Sequence, residues 1–198
     1  MPMMLTEEGL NLLFYEARTQ NKWKDADVTD DQLKLLHDLT SMGPTSANCC
    51  PMRVVFVKSD AEKERLKPAL MEGNVEKTLS APVVAIIGTD YEFHEHLPKL
   101  FPHTDAKSWF AGEKNKANRE VTAFRNATLQ AGYFIMAARS IGLDCGPMSG
   151  FNNDMVDELY FEGTSTKSNF LCNLGYGDPE GLFPRSPRFD FDEACKIV

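Results

Sequence analysis

One stretch constrains the fold more than any other: AFRNATLQAGYFIMAARSIG, within a helix expected from Glu120 to Ile141. Its apolar residues run around much of the helical circumference, with Gly132 in the middle. A helix that is apolar all round has no face suited to water, so it must be buried in a core or in a subunit interface. Gly142 is placed to end it.

The flanking segments supply what could cover it. Glu7 to Thr19 carries Leu10, Leu13, Phe14 and Ala17 at helical spacing. VTDDQLKLLHDLTSMG reads as a further helix, capped by Thr29 or Asp30, with Asp31 in its first turn. Leu33, Leu36 and Leu39 form its inward face, and Gly43 stops it. RVVFVKS and APVVAIIGT are short apolar runs that read as buried strands, the second behind Pro82. AEKERLKPALMEG returns to helix between them. Tyr91 to Asn118 breaks the pattern with prolines, histidines and charges around Trp109 and Phe110. It reads as an irregular or partly helical excursion, where lids and binding loops sit. Beyond the long helix, LDCGPMSGF reads as a loop and NNDMVDELYF as a helix capped by Asn152 or Asn153. SNFLCNLGYGD reads as a strand ending in a glycine turn, and GLFPRSPRFDFDEACKIV as a proline-broken tail with two arginines. Strands alternating with helices imply an α+β or α/β class, with a sheet covered on both faces.

Bulk properties narrow the partners. The 198 residues favour one domain, 1–198. A net charge of -8 offers no basic footprint for nucleic acid and would be repelled by an anionic membrane. Two glutamates precede the apolar run from Leu10 and no basic segment leads it, so no secretory leader is expected. The longest weakly charged stretch, Asn126 to Ala138, is too short to span a bilayer. Five cysteines, none in a C-x-x-C pair, argue against a disulfide framework and for a reducing compartment. A soluble, cytoplasmic protein is expected.

The sharper motifs mostly fail. Cys49 and Cys50 follow a helix end, so no helix dipole lowers their pKa, and small apolar packing is the expected role. HEH at His94 to His96, with His103 nearby, lacks the H-E-x-x-H spacing; these read as solvated loop histidines and no metal is expected. GTSTKS has Thr166 where a phosphate loop needs glycine before lysine. GYGD follows a strand, but no third glycine opens a helix after it. A scattered set remains: Arg18, PTSAN, Asn74, GPMSG and Arg188. Arginines clamp phosphate bidentately, asparagines read an imide edge, and Pro and Gly let backbone approach a flat ring. Together they suit a flat, phosphorylated heterocycle.

Those residues recur in a pattern. ARTQNK, PTSANCCP, EGNVEKTLSAP, GLDCGPMSGF, GYGD and PRSPRFDFDEA resemble, in order and from end to end, the FMN-dependent nitroreductase family. GPTSANC, LFPH-D-A-SWF, TAFRN and GLDCGPMSGF are similar to its malonic semialdehyde reductase branch, from the Rut route of pyrimidine degradation. The resemblance implies an α+β nitroreductase-like fold with a central, mostly antiparallel sheet flanked by helices. It implies an intertwined homodimer with FMN at the interface, which would bury the apolar helix against its twin.

The resemblance also implies site roles. Arg18 and Arg188 match the FMN phosphate clamp, with Thr19 beside it. Gln20 stands where the family usually has Ser. Lys22, or failing it Lys24, matches the basic residue near the pyrimidine edge. Ser46 and Asn48 match the loop beside the ring, and Asn74 an Asn facing the flavin edge. Pro147, Met148, Ser149 and Gly150 match the loop whose backbone lies near flavin N5. Many relatives have Glu where Ser149 stands and Gln where Cys50 stands, so nicotinamide orientation and substrate range are expected to differ.

The implied reaction is ping-pong. NAD(P)H gives a hydride to FMN N5 and leaves, and a small-molecule acceptor takes it at the same face. No catalytic side chain is implied. The implied acceptor is malonic semialdehyde, reduced to 3-hydroxypropionate, with Arg53, Lys107 and Arg119 as candidate partners of its carboxylate. Trp109 and Phe110 would roof the pocket or anchor the excursion by burial. The rivals are a broad nitroaromatic or quinone reductase, a flavin-binding protein without an efficient acceptor, and a cysteine or metal hydrolase.

Overall fold

The structure, a computed structural model, describes residues 4–198. The first three residues of the segment read above as no leader lie outside the described residues. Four strands form one antiparallel sheet: β1 Met52–Val57, β2 Val83–Asp90, β3 Asp144–Met148 and β4 Thr166–Gly175, in the order β1-β2-β4-β3. The helices are α1 Glu7–Leu10, α2 Asp30–Ser41, α3 Asp60–Leu66, α4 Glu72–Leu79, α5 Leu97–Leu100, α6 Lys116–Ser140, α7 Asn153–Tyr160 and α8 Phe191–Ala194.

All eight residues of the central strand β2 are buried. Alternate side chains point to opposite faces. Val83, Ala85 and Ile87 join a core with Leu33 and Leu36 of α2 and Ala131 and Phe134 of α6. Val84 and Ile86 join the opposite core with Leu66, Leu70, Val156 and Phe161. The sheet is thus covered on both faces, and its wholly antiparallel pairing makes the class α+β.

Several elements form as their sequences dictate. Thr29 caps α2 through a capping box with Gln32, and Asn152 caps α7 by accepting from the Met155 N–H. Gly142 ends α6 at φ +81°, a left-handed conformation that favours glycine. Gly43 serves another purpose: an added Cβ would lie 2.7 Å from the Tyr133 ring, so glycine lets α2 approach α6.

Other expectations are corrected. LDCGPMSGF is not all loop: Asp144–Met148 pairs with β4 as an edge strand, and an edge tolerates Pro147, which has no N–H to donate. The helix expected through AEKERLKPALMEG stops at Leu66 and tightens into a turn at Lys67–Ala69, because Pro68 cannot continue it; α4 starts afresh at Glu72. Leu39 is exposed, and Thr40 takes its place on the buried face of α2. The N-terminal helix widens to a π-type turn at Asn11–Tyr15, and no residue of it is buried.

The 91–119 excursion packs around a small core of its own, with Cys49, Phe93, Leu97, Ala106, Phe110 and Ala123. Phe110 anchors it edge-on to Phe93, ring centroids 5.0 Å apart, while Trp109 stays exposed. Helix α6 is buried on one stripe only. Ala131, Phe134, Ala137 and Ala138 pack into the sheet core and Ala123 into the core of the excursion, whereas Val121, Phe124, Leu129 and Tyr133 face out.

Candidate functional site

The segment before α2 extends the sheet. Thr19 bridges Cys145 in parallel, and the Gln20 N–H donates to the Cys145 carbonyl at 2.9 Å. Residues 18–22 therefore run along the open edge of β3. Gln20 is buried there, with its Oε1 unpartnered, and an added Cβ at Gly177 would overlap its amide. Lys22 turns outward and is neutralised: Glu180 Oε2 lies 2.6 Å and Asp178 Oδ2 2.9 Å from its Nζ, which raises its pKa.

Arg18 opens onto a cavity of about 500 Å³ between the N-terminal segment, the end of α6 and the C-terminal tail. Arg139, Arg185 and Arg188 line it too, and its wall contains no carboxylate. Main-chain carbonyls hold all four guanidiniums. Arg18 donates to Phe183, Arg139 to Leu13 at 3.0 Å, Arg185 to Tyr15 at 2.6 Å, and Arg188 to Ser186 and Pro187 at 3.0 Å. A carbonyl fixes direction but leaves the positive charge uncompensated, so the cavity is built for an anion. Arg18 and Arg188 both line the cavity. Arg139 and Arg185 went unassigned: the one is a last-turn helix residue, the other sits in a tail without regular structure.

Further along the same edge, Pro147 to Gly150 end β3. Asn74 Nδ2 donates to the Gly150 carbonyl at 2.8 Å, and the Met71 N–H donates to the same oxygen at 3.0 Å. An added Cβ on Gly150 would overlap the Asn74 amide, so glycine is required for this approach. Asn74 thus braces the loop. Met148 is buried, with its sulfur accepting from Thr78 Oγ1 at 3.5 Å. Phe124, Pro147, Met148, Ser149, Asn169 and Phe170 line a shallow, mainly apolar cavity.

Ser46 and Asn48 lie elsewhere, on the loop that enters β1, the opposite edge strand. The Ser46 N–H donates to Asn126 Oδ1 at 2.8 Å, and Asn48 Nδ2 to the Leu100 carbonyl at 2.8 Å. Ala47, Asn48 and Cys50 have φ of 49°, 49° and 37°. Such backbone persists where its surroundings hold it, and it clusters at functional sites. Burial pushes the Cys49 thiol up to about 11, which suits packing and not nucleophilic attack.

The cations considered for a substrate carboxylate are all paired. Arg53 Nη2 lies 2.5 Å from buried Asp90, Lys107 Nζ 2.5 Å from Glu95, and Arg119 Nη2 3.4 Å from Glu92. No helix among the described residues is long and apolar enough to cross a membrane.

The chain is similar to known proteins in sequence and in fold. A family model described as "Nitroreductase family" matches residues 16–176. A Burkholderia lata protein, provisionally named NADH dehydrogenase/NAD(P)H nitroreductase, is 61% identical over 98% of both chains. A Ralstonia pickettii protein of the same provisional name is 56% identical, over 96% of this chain and 97% of its own. Among solved structures, a Bacillus subtilis protein described as a nitroreductase superposes with a TM-score of 0.87 at 20% identity, covering 98% of this chain and 100% of its own. An Exiguobacterium sibiricum protein, described as a nitroreductase in complex with FMN, has a TM-score of 0.82 at 14% identity, covering 99% of both.

Proposed function

The chain belongs to the nitroreductase family, and from that premise we propose that it is an FMN-dependent NAD(P)H oxidoreductase. In this reading it is one FMN-binding domain per chain and a cytoplasmic, intertwined homodimer. The observation that carries the reading is the arginine cavity. Four guanidiniums with no carboxylate among them fit a phosphate dianion.

Arg18, Arg139, Arg185 and Arg188 would hold the FMN phosphate, with Thr19 at the rim of the cavity. Pro147, Met148, Ser149 and Gly150 would present backbone to the ring, braced by Asn74. Gln20 supports this edge from beneath, while Lys22 is spent on Glu180 and Asp178. Bound FMN supplies the two-electron chemistry that links the nicotinamide to the acceptor. The chain's own part is to grip the phosphate, hold the 147–150 loop rigid, and line it with apolar Phe124, Met148 and Phe170 so that water is excluded.

Two observations support the homodimer. Ser46 and Asn48 sit at the opposite sheet edge from Pro147 to Gly150, so a twin would bring its own Ser46 and Asn48 to this ring site. The outer stripe of α6, with Val121, Phe124, Leu129 and Tyr133, would be covered by that twin. The free cysteines among the described residues fit a reducing compartment.

Malonic semialdehyde, reduced to 3-hydroxypropionate in pyrimidine degradation, is the acceptor that the sequence motifs support. A nitroaromatic or quinone acceptor is the second reading, and one observation favours it: Arg53, Lys107 and Arg119 are already neutralised by carboxylates. Anaerobic stopped-flow absorbance separates the two. The FMN-loaded protein is reduced with NADPH or NADH, then mixed with malonic semialdehyde or a nitrofuran. Fast reoxidation by the semialdehyde supports the first reading, and by the nitrofuran alone the second. A protein that takes up no FMN overturns both.

A further inference from the structure

The turn after β2 gathers a second set of ligand-type side chains, away from the arginine cavity. Glu92 precedes a short helical turn, Phe93–His96, that carries His94 and Glu95. Phe93 is fully buried and anchors the turn. His94 is 3% exposed. Its ring makes no hydrogen bond, and its Nδ1 is buried without a partner. Its Nε2 faces two carboxylate oxygens, Glu92 Oε2 at 3.6 Å and Glu95 Oε1 at 3.6 Å. The three donor atoms lie within 4.8 Å of one another.

The other oxygen of each carboxylate is held from outside. Arg119 Nη2 lies 3.4 Å from Glu92 Oε1, and Lys107 Nζ 2.5 Å from Glu95 Oε2. Each carboxylate is thus oriented by a cation on one side and aimed at the imidazole on the other. Metal ligands are commonly oriented by outer partners in this way.

An imidazole nitrogen facing two carboxylates suits an electropositive occupant. A proton fits poorly. At 3.6 Å both gaps exceed the hydrogen-bond range of about 2.7–3.2 Å. A metal ion fits better. With bonds of about 2.0–2.2 Å, a tetrahedral ion sets its ligands roughly 3.4 Å apart.

We propose that Glu92, His94 and Glu95 form a divalent-metal site that prefers Zn²⁺ and keeps one position for water. One imidazole among oxygen ligands favours zinc over magnesium or calcium. Because Lys107 and Arg119 hold the same carboxylates, an ion there would tie the 107–119 segment to the turn after β2. This site is independent of the flavin reading and stands or falls separately.

Isothermal titration calorimetry tests it on the purified full-length protein, stripped with chelator, in a Cys195→Ser background that removes the exposed thiol. Zn²⁺ is the probe and Mg²⁺ the comparison. We expect one Zn²⁺ per chain, bound at least tenfold more tightly than Mg²⁺, and at least tenfold weaker binding in Glu92→Gln and in Glu95→Gln. Both side chains are half-exposed, so these variants keep the fold, which circular dichroism checks. Co²⁺ absorption provides a second readout: tetrahedral bands without thiolate charge transfer are expected, and they vanish in His94→Gln. Equal affinity for Zn²⁺ and Mg²⁺, or Zn²⁺ binding unchanged in both Glu variants, overturns the proposal.

Discussion

Two groups of cations differ in one respect on this molecule. In the 91–119 region and its neighbours, Arg53, Lys107 and Arg119 each meet a carboxylate of the same chain. Around the N-terminal segment and the tail, Arg18, Arg139, Arg185 and Arg188 meet only neutral groups, chiefly carbonyl oxygens, and line a cavity without an acid. A cation with its counter-ion built in is part of the scaffold. A cation held in place by neutral groups keeps its charge for something else. The count of arginines does not separate the two groups; their partners do.

The largest effect that would break this contrast lies at Arg53. Asp90 is 4% exposed, and Arg53→Met leaves its carboxylate without the guanidinium. Breaking buried pairs typically costs about 3–5 kcal/mol. Ser165 Oγ and the Glu92 N–H still satisfy Asp90 Oδ1, at 2.6 Å and 2.9 Å, so the low end is expected. Urea unfolding should show a loss of about 3 kcal/mol, and Arg53→Met with Asp90→Asn should recover most of it. An unchanged midpoint in the single variant would place Arg53 outside the scaffold.

Arg18→Ala and Arg139→Ala test the other group. Each removes a charge-assisted contact worth about 1.5–3 kcal/mol, so FMN binding should weaken roughly 10- to 100-fold in a fluorescence titration. Unfolding should shift little, because no partner charge is stranded. Wild-type FMN affinity in either variant would remove that arginine from the clamp.

Ionic strength sharpens the contrast further. The Debye length falls from about 10 Å at 0.1 M toward about 3 Å at 1 M, so FMN affinity should fall several-fold between those concentrations. The stability difference between Arg53→Met and wild type should hardly move over the same range. The smallest effect is expected from Lys107→Met. Its pair with Glu95 is well exposed on both sides, and exposed pairs contribute about 0.2–1 kcal/mol.

The fold divides along a similar line. Helices α2 and α6 and strands β1, β2 and β4 were legible because each carries its own pattern: apolar residues at period 3.6 or in a short β-branched run, with Thr29 and Gly142 as punctuation. Such patterns are local, so a single chain displays them before any contact forms. The motif residues Arg18, Asn74, Pro147 to Gly150 and Arg188 were equally visible, because their resemblance to a family needs only order and spacing.

Tertiary structure alone decided the rest. Asp144–Met148 has glycine and proline and no strand pattern, yet it is a strand because β4 offers it a ladder. Helix α6 reads as apolar all round, but only contact with the sheet shows which stripe is covered within the chain. Arg139 joins Arg18 because the N-terminal segment packs on the end of α6, and Arg185 because the tail folds back over that segment, 165 residues apart at the Arg18–Phe183 contact. The physical reason is range. Propensity and periodicity act over a few residues, whereas a charge is spent or kept according to which distant groups the closed chain brings within 4 Å of it.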